Sequence, residues 1–395
     1  MSSRILYLDN NATTAIDPEV RDAMWPYLGE FYGNPSSAYS FGRRVHDAIE
    51  ASRAQVAALI NAAPEDIIFT SCGTESNNTA ILSALERDRD RQQIVTTKVE
   101  HSAIVKHAEK LARKGYEIRW IKVDDQGRVD PDEVRKAVSD ETAILSIMKA
   151  NNETGVLFPV EELAAIAEKE GALFHTDAVQ AVGKLPIDVK AAPIHLLSLS
   201  GHKLHCPKGI AALYVHPRIK FQGMLIGGGQ EEGRRGGTEN VASIIALGKA
   251  AELANQHLQQ ASHRMAAMRD RFESIITERL TGVKINGGEA ERLPNTTNMI
   301  FDGIDGEGLL ILLDQEGVCA SAGSACTTGS LTPSHVLTAM GLTTEQARSS
   351  LRFSFSRLNR DEEAEEAAGI VVRAVEKMRA LGDDSPVLSH TAATH

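Results

Sequence analysis

The sequence predicts an α/β fold: a mostly parallel sheet covered by helices, followed by a smaller α+β domain. Three observations carry this. Between about residues 50 and 250, short apolar runs alternate with longer amphipathic stretches, as in a chain that alternates strand and helix. The apolar runs are continuous rather than alternating, as strands covered on both faces should be. A glycine-dense break, LIGGGQEEGRRGGTEN (225–240), then ends the alternation.

The strands expected in order are DIIFTS (66–71), QIVTTKV (93–99), TAILSIMK (142–149), ALFHTD (172–177), IHLLSLS (194–200) and IAALYVH (210–216). Helical stretches such as SNNTAILSALERDRD and VEELAAIAEKEG lie between them. After the break, residues 241–280 read as one helical pattern, longer than an ordinary globular helix and expected to bend or break between two domains. Strands near NTTNMIFDG and LRFSFS and a helix over DEEAEEAAGIVVRAVEKMRALG complete the smaller domain. The division expected is 15–255 for the large domain and 1–14 with 256–380 for the small one. Residues 381–395 are polar and aperiodic, as a disordered tail would be.

Bulk properties narrow the function. The chain has 395 residues, 42% hydrophobic and 24% charged, with net charge −11. That acidity argues against nucleic acid and anionic membranes as partners. No apolar run approaches the roughly 20 residues needed to span a bilayer. The N-terminus MSSRILYLDNNATT lacks a basic region followed by an apolar one, so a cytoplasmic location is expected. Cys72, Cys206, Cys319 and Cys326 are too scattered for a disulfide framework and show no zinc-ligand spacing.

Ligands of open α/β sheets sit beyond the carboxyl ends of the strands, so the residues delivered there are the candidates. The first strand leads to CGTESNN. Gly73 and Thr74 fall at a helix N-terminus, which either holds a phosphate or is capped by Thr74 or Ser76. The second leads to His101. The third leads to ANNETG, where Asn151 and Asn152 either face a ligand or form an Asx turn before Gly155. The fourth ends in Asp177 with Gln180 beyond it, a carboxylate that is either a helix cap or paired with a cation. The fifth delivers Ser200, His202 and Lys203.

Each residue alone is weak, but one ligand uses them all: pyridoxal 5′-phosphate. Its phosphate suits the helix N-terminus. Its ring nitrogen needs a carboxylate such as Asp177 to stay protonated. His101 can stack on its ring, Asn152 or Gln180 can donate to its phenolic oxygen, and Lys203 can form the Schiff base.

The chain resembles the cysteine desulfurases of the NifS/IscS type, within the class V, aspartate-aminotransferase-like, fold-type I pyridoxal-phosphate enzymes. The stretches that carry the resemblance are YLDNNATT, YGNPSS, TSCGTESNN, VEHSA, ANNETG, HTDAVQ, SLSGHKLHCPKG, GGTENV, SAGSACTTGSLTPSHVL and SLRFSFSR, from residue 7 to 357. DNNATT and SACTTGS look more like the nitrogen-fixation branch. The resemblance implies a seven-stranded sheet and cysteine desulfurase activity that leaves L-alanine and a persulfide on Cys326. It implies catalytic roles for Cys326, Lys203 and His101. Gly73, Thr74, Asn152, Asp177, Gln180, Ser200 and His202 become cofactor contacts. Thr238 would reach the neighbouring subunit's phosphate, so a homodimer is implied. Arg352 and Asn34 become contacts to the substrate, L-cysteine. An iron–sulfur scaffold protein is the implied sulfur acceptor, with Cys326 a transient iron–sulfur ligand through its persulfide.

Cys326 lies in a Gly/Ser/Thr-rich segment, as a nucleophile that must travel requires, whereas Cys319 follows an apolar run. Three departures from the family pattern stand out. Cys206 replaces a small residue and is either inert filler or a site of oxidation. Tyr39 replaces a common histidine, and Glu232 a common arginine. The alternatives are a selenocysteine lyase or another class V enzyme. In a different class stands an iron–sulfur scaffold using Cys206, Cys319 and Cys326.

Overall fold

The computed structural model describes residues 4–322 and 333–383. After the two-residue strand β1 (Leu6–Tyr7), the chain builds a seven-stranded sheet. Its strands are β2 (Ile67–Thr70), β3 (Gln93–Thr97), β4 (Glu117–Ile121), β5 (Thr142–Ser146), β6 (Leu173–Asp177), β7 (Leu196–Ser200) and β8 (Ala211–Val215). Their spatial order is β2-β8-β7-β6-β5-β3-β4. All pairings are parallel except those of β8, which runs antiparallel to β2 and β7. The six expected strands form. The seventh, β4, is an edge strand in which Glu117 and Arg119 are exposed. Its alternating pattern lacks the continuous apolar run that marks the others.

Helices α1 (Pro18–Met24), α2 (Ser40–Leu59), α3 (Gly73–Arg87), α4 (Ser102–Ala112), α5 (Pro131–Ala137), α6 (Val160–Lys169) and α7 (Val241–Arg279) accompany this sheet. Local chemistry starts several of them. Asp17 and Asp130 cap α1 and α5, each with proline in the first turn. Neighbouring strand residues face opposite cores, which explains the continuous apolar runs. Phe69, Leu145, Phe174 and Leu197 pack with residues of α2, α6 and the first half of α7. Ile68, Ile144, Leu173 and Leu196 pack with Ile81 and Ala84 of α3 and Ile104 and Leu111 of α4.

Helix α7 does not break. It runs 39 residues as one α-helix because each half has its own apolar surface to bury. Ile244, Leu247 and Ala251 join the sheet core, whereas Met265, Phe272 and Ile276 join a second core. Gly248 lets α7 approach α2: a Cβ there would lie 2.5 Å from the Ser52 Cβ.

The remaining elements are β9 (Val283–Ile285), β10 (Thr296–Phe301), α8 (Gly306–Gln315), β11 (Val318–Cys319), β12 (Ser321–Ala322), α9 (His335–Ala339), α10 (Thr344–Arg348), β13 (Ser350–Ser354) and α11 (Glu362–Asp383), and all but α9 and α10 gather around the second core. An antiparallel sheet of order β12-β13-β10-β9 forms, and β1 pairs with β11. Residues of α9 and α10, among them Leu337 and Ala347, nevertheless pack into the first core.

Candidate active site

A cavity of about 450 Å³ opens at the carboxyl ends of β2, β3, β5, β6 and β7. Gly73, Thr74, His101, Asn152, Asp177, Gln180, Ser200, His202, Lys203 and Arg352 all line it. Two expected contacts lie elsewhere. Asn34 is exposed, and its Oδ1 accepts from the Ser36 N–H at 2.9 Å. Thr238 is exposed in the glycine-rich segment. Cys326 lies outside the described residues.

The helix N-terminus of α3 faces the cavity through Gly73 and Thr74. Cys72, its N-cap residue, makes no side-chain cap, so first-turn N–H groups keep their capacity for an anion. Ser76 does not cap the helix; its hydroxyl pairs with that of Thr70 at 2.7 Å.

Asp177 closes β6 and is 5% exposed. One carboxylate oxygen accepts from the Val179 N–H at 3.0 Å and the other from Asn77 Nδ2 at 2.6 Å. The carboxylate is therefore aimed by α3 as well as by its own strand. His101 caps α4, its Nδ1 accepting from the Ala103 N–H at 3.2 Å. Any proton on the neutral ring then sits on Nε2. Burial lowers its pKa, as do Lys203 and His335, against the opposing pull of Asp177. His202 is likewise held neutral: burial, aided by Lys203 and Lys208, lowers it to about 4.

Lys203 sits in the short 3-10 turn after β7. Its Nζ donates to the carbonyl oxygens of Asn11 at 2.5 Å and Ala12 at 2.6 Å. The N-terminal segment thus reaches over the sheet end to hold the amine. The same Asn11 carbonyl accepts from Gln180 Nε2 at 3.0 Å.

Arg352, on β13, is 2% exposed. It donates to the Asn152 carbonyl at 3.0 Å and to Asp9 at 2.7 Å. In the ANNETG turn the two asparagines divide the work. Asn151 Oδ1 accepts from the Glu153 and Thr154 N–H groups at 2.8 and 3.0 Å, which makes it the Asx residue. Gly155 follows at φ +80°, a conformation glycine adopts freely. Asn152 is left to line the cavity.

Several site residues escape a reading of strand ends. Asn77, Asn11, Glu153 and His335 all line the cavity. Buried Glu153 accepts from the Ser334 hydroxyl at 2.5 Å, and burial raises its pKa. His335 Nε2 donates to the Glu100 carbonyl at 3.0 Å. Asn77 was legible only as part of TSCGTESNN, and Asn11 as part of YLDNNATT.

Cys206 is buried and its thiol is pushed far up by desolvation, which favours inert filler over oxidation. Tyr39 and Glu232 are exposed and away from the cavity lining. Among the described residues no group of three His, Cys, Asp or Glu side chains could hold a metal ion. None of the described helices is long and apolar enough to cross a membrane.

Residues 6–366 match the Aminotransferase class-V family. A protein of Trichormus variabilis named cysteine desulfurase 2 is 50% identical, over 95% of this chain and 94% of its own length. The cysteine desulfurase NifS of Azotobacter vinelandii is 48% identical, over 95% of this chain and 93% of its own. A solved structure of a NifS-like protein superposes with a TM-score of 0.88 at 34% identity, covering 95% of this chain and all (100%) of that one.

Proposed function

We propose, from the premise that the chain belongs to the class-V aminotransferase family and its cysteine desulfurase branch, that it takes sulfur from L-cysteine using pyridoxal 5′-phosphate. The products are L-alanine and a persulfide on Cys326. One observation carries the reading: an uncapped helix N-terminus, a carboxylate, an imidazole and a lysine line a single cavity.

That donor set fits the cofactor. The N–H groups of Gly73 and Thr74, with Ser200 and His202, would hold the phosphate. Asp177 would face the ring nitrogen, His101 the ring face, Asn152 and Gln180 the phenolic oxygen, and Lys203 the aldehyde carbon. When bound, the cofactor supplies an electron sink for the bond broken at the substrate Cα.

The protein's own groups do the rest. Asp177, held by Asn77, would keep a proton on the pyridine nitrogen. Arg352 grips the substrate carboxylate with its guanidinium, already oriented by Asp9. Lys203 would take the Cα proton. Neutral His101 is suited to hold or pass a proton at Nε2. The Cys326 thiolate attacks the substrate sulfur: an S–S bond forms, the C–S bond breaks, and its electron pair stays with carbon, to be protonated to L-alanine. The balance is L-cysteine plus thiol giving L-alanine plus persulfide, with no external oxidant.

The large domain, 15–255, supplies the cofactor contacts. The small domain, 1–14 with 256–380, supplies Arg352 and the Cys326 segment. A second copy of the chain would receive Thr238 at its phosphate. Asn34 would help complete the substrate site, and an iron–sulfur scaffold protein would accept the sulfur, with Cys326 ligating the nascent cluster transiently through its persulfide. The test is Cys326→Ala. It should keep the visible chromophore and lose sulfide and L-alanine formation from L-cysteine. Full turnover by that variant would refute the persulfide route.

A further inference from the structure

Lys184 has no role in the chemistry above, yet it is buried, at 6% exposure. Among the described residues no carboxylate pairs with it in an ion pair. Its Nζ donates instead to two oxygens of one residue, the Gln180 carbonyl at 2.9 Å and the Gln180 Oε1 at 3.0 Å. A buried ammonium without a counter-ion is costly. Burial, with the nearby charges of Lys203 and Arg352, pulls its pKa down to about 7. His202 and His205 also face it, and both are held near 4 chiefly by burial.

In its charged form, the one favoured below about pH 7, Lys184 only donates, so it accepts just one orientation of the Gln180 amide: oxygen toward Lys184. The NH2 edge is then turned to the other side, where Nε2 meets the Asn11 carbonyl at 3.0 Å. That carbonyl is also the acceptor for Lys203 Nζ at 2.5 Å. A flipped amide would set NH2 against ammonium and oxygen against the Asn11 oxygen. One N–H of Gln180 remains for the cavity that Gln180 lines.

We infer that Lys184 is a positioning residue that locks the Gln180 amide with its NH2 edge toward the cavity, as a donor to the phenolic oxygen of the bound cofactor. The inference rests on the pyridoxal-phosphate reading. Gln180 and the protonated Schiff base to Lys203 compete for that oxygen. Freeing the amide therefore strengthens the Schiff base's hold on its proton.

The experiment is a double-mutant cycle on the holoenzyme: wild type, K184M, Q180M and K184M/Q180M. The reading is the pH midpoint of the visible absorbance titration, with cofactor retention on dialysis as a second measure. K184M should raise the midpoint by about half a unit or more, roughly a threefold gain in proton affinity. In the Q180M background K184M should add nothing. An unchanged midpoint in K184M, or an equal shift with and without Gln180, overturns the inference; the latter would mean that the Lys184 charge acts directly. Should K184M fail to load cofactor, K184Q and K184Q/Q180M run the same cycle. A wild-type protein with no visible band would sink the pyridoxal-phosphate reading itself, which keeps the two failures apart.

Discussion

Glu100 offers a test of how the floor of the site is built. It precedes His101 and is 0% exposed. One carboxyl oxygen accepts from the Met148 N–H at 2.9 Å and from Thr97 at 3.1 Å, while the other has no partner among the described residues. Burial raises its pKa from 4.5 to about 8, with Asp177 adding to the effect. A carboxyl raised on folding stabilises the protein below its unfolded pKa, and that contribution is lost as pH climbs toward the folded value. At about 1.4 kcal/mol per unit the whole effect has a ceiling of roughly 5 kcal/mol. Glu100→Gln keeps the acceptor for Met148 and Thr97 and cannot titrate. Its unpaired amide costs about 1–3 kcal/mol, the same at every pH. Between about pH 6.5 and 8 wild type should therefore lose roughly 2 kcal/mol that the variant keeps. The histidines held below their ordinary range stay neutral throughout that window and cancel in the comparison. In thermal unfolding of the holoenzyme this is a gain of roughly 2–3 °C for the variant over wild type as pH rises. Equal pH slopes for the two proteins would show that Glu100 is ionised in the fold and would refute the reasoning.

Two further substitutions probe elements that hold the site in place. Glu231 anchors the glycine-rich segment: it accepts from Arg53 at 2.7 and 2.9 Å and from the Phe69 N–H at 3.0 Å. Glu231→Ala leaves the buried Arg53 guanidinium only the part-exposed Glu50 carboxylate and the Ile67 carbonyl and should cost about 3 kcal/mol of stability, read as a lower melting temperature and faster proteolysis between 225 and 240; an unchanged melting temperature would count against a structural role for the pair. Arg352→Lys replaces a fork with a point charge. It should raise KM for L-cysteine roughly tenfold or more while leaving the wild-type chromophore in place; an unchanged KM would remove Arg352 from the substrate site.

The polar residues that end apolar strands were legible in the sequence because their position is anomalous there. A buried strand that finishes in Asp177, or in Ser200 with Lys203 beyond it, is costly unless a ligand or partner repays the burial. What stayed hidden was set by tertiary contact. Asn77 reads as an ordinary helical asparagine until β6 brings Asp177 within 2.6 Å. Asp9 and Arg352 are separated by 343 residues and meet only because the segment after β1 runs beside β13, with Asp9 bridged to Ser354. Lys184 looks like any turn lysine, and nothing local reveals that its ammonium is buried. Strand β4 escaped because an edge strand with exposed Glu117 and Arg119 lacks the run that marks a covered one. Of the bend or break expected in α7, no break occurs, since helical periodicity reveals an apolar stripe but not that two separate cores receive it.

Cysteine desulfurase chemistry at this site requires one ring gripped between Asp177 and Lys203. Borohydride reduction of the purified holoenzyme, followed by peptide mapping, fixes the cofactor to its lysine permanently. A pyridoxyl group on the peptide containing Lys203 is the expected result, with the label lost in Lys203→Ala. Label on another lysine, or none on a protein that still forms L-alanine from L-cysteine, would contradict it.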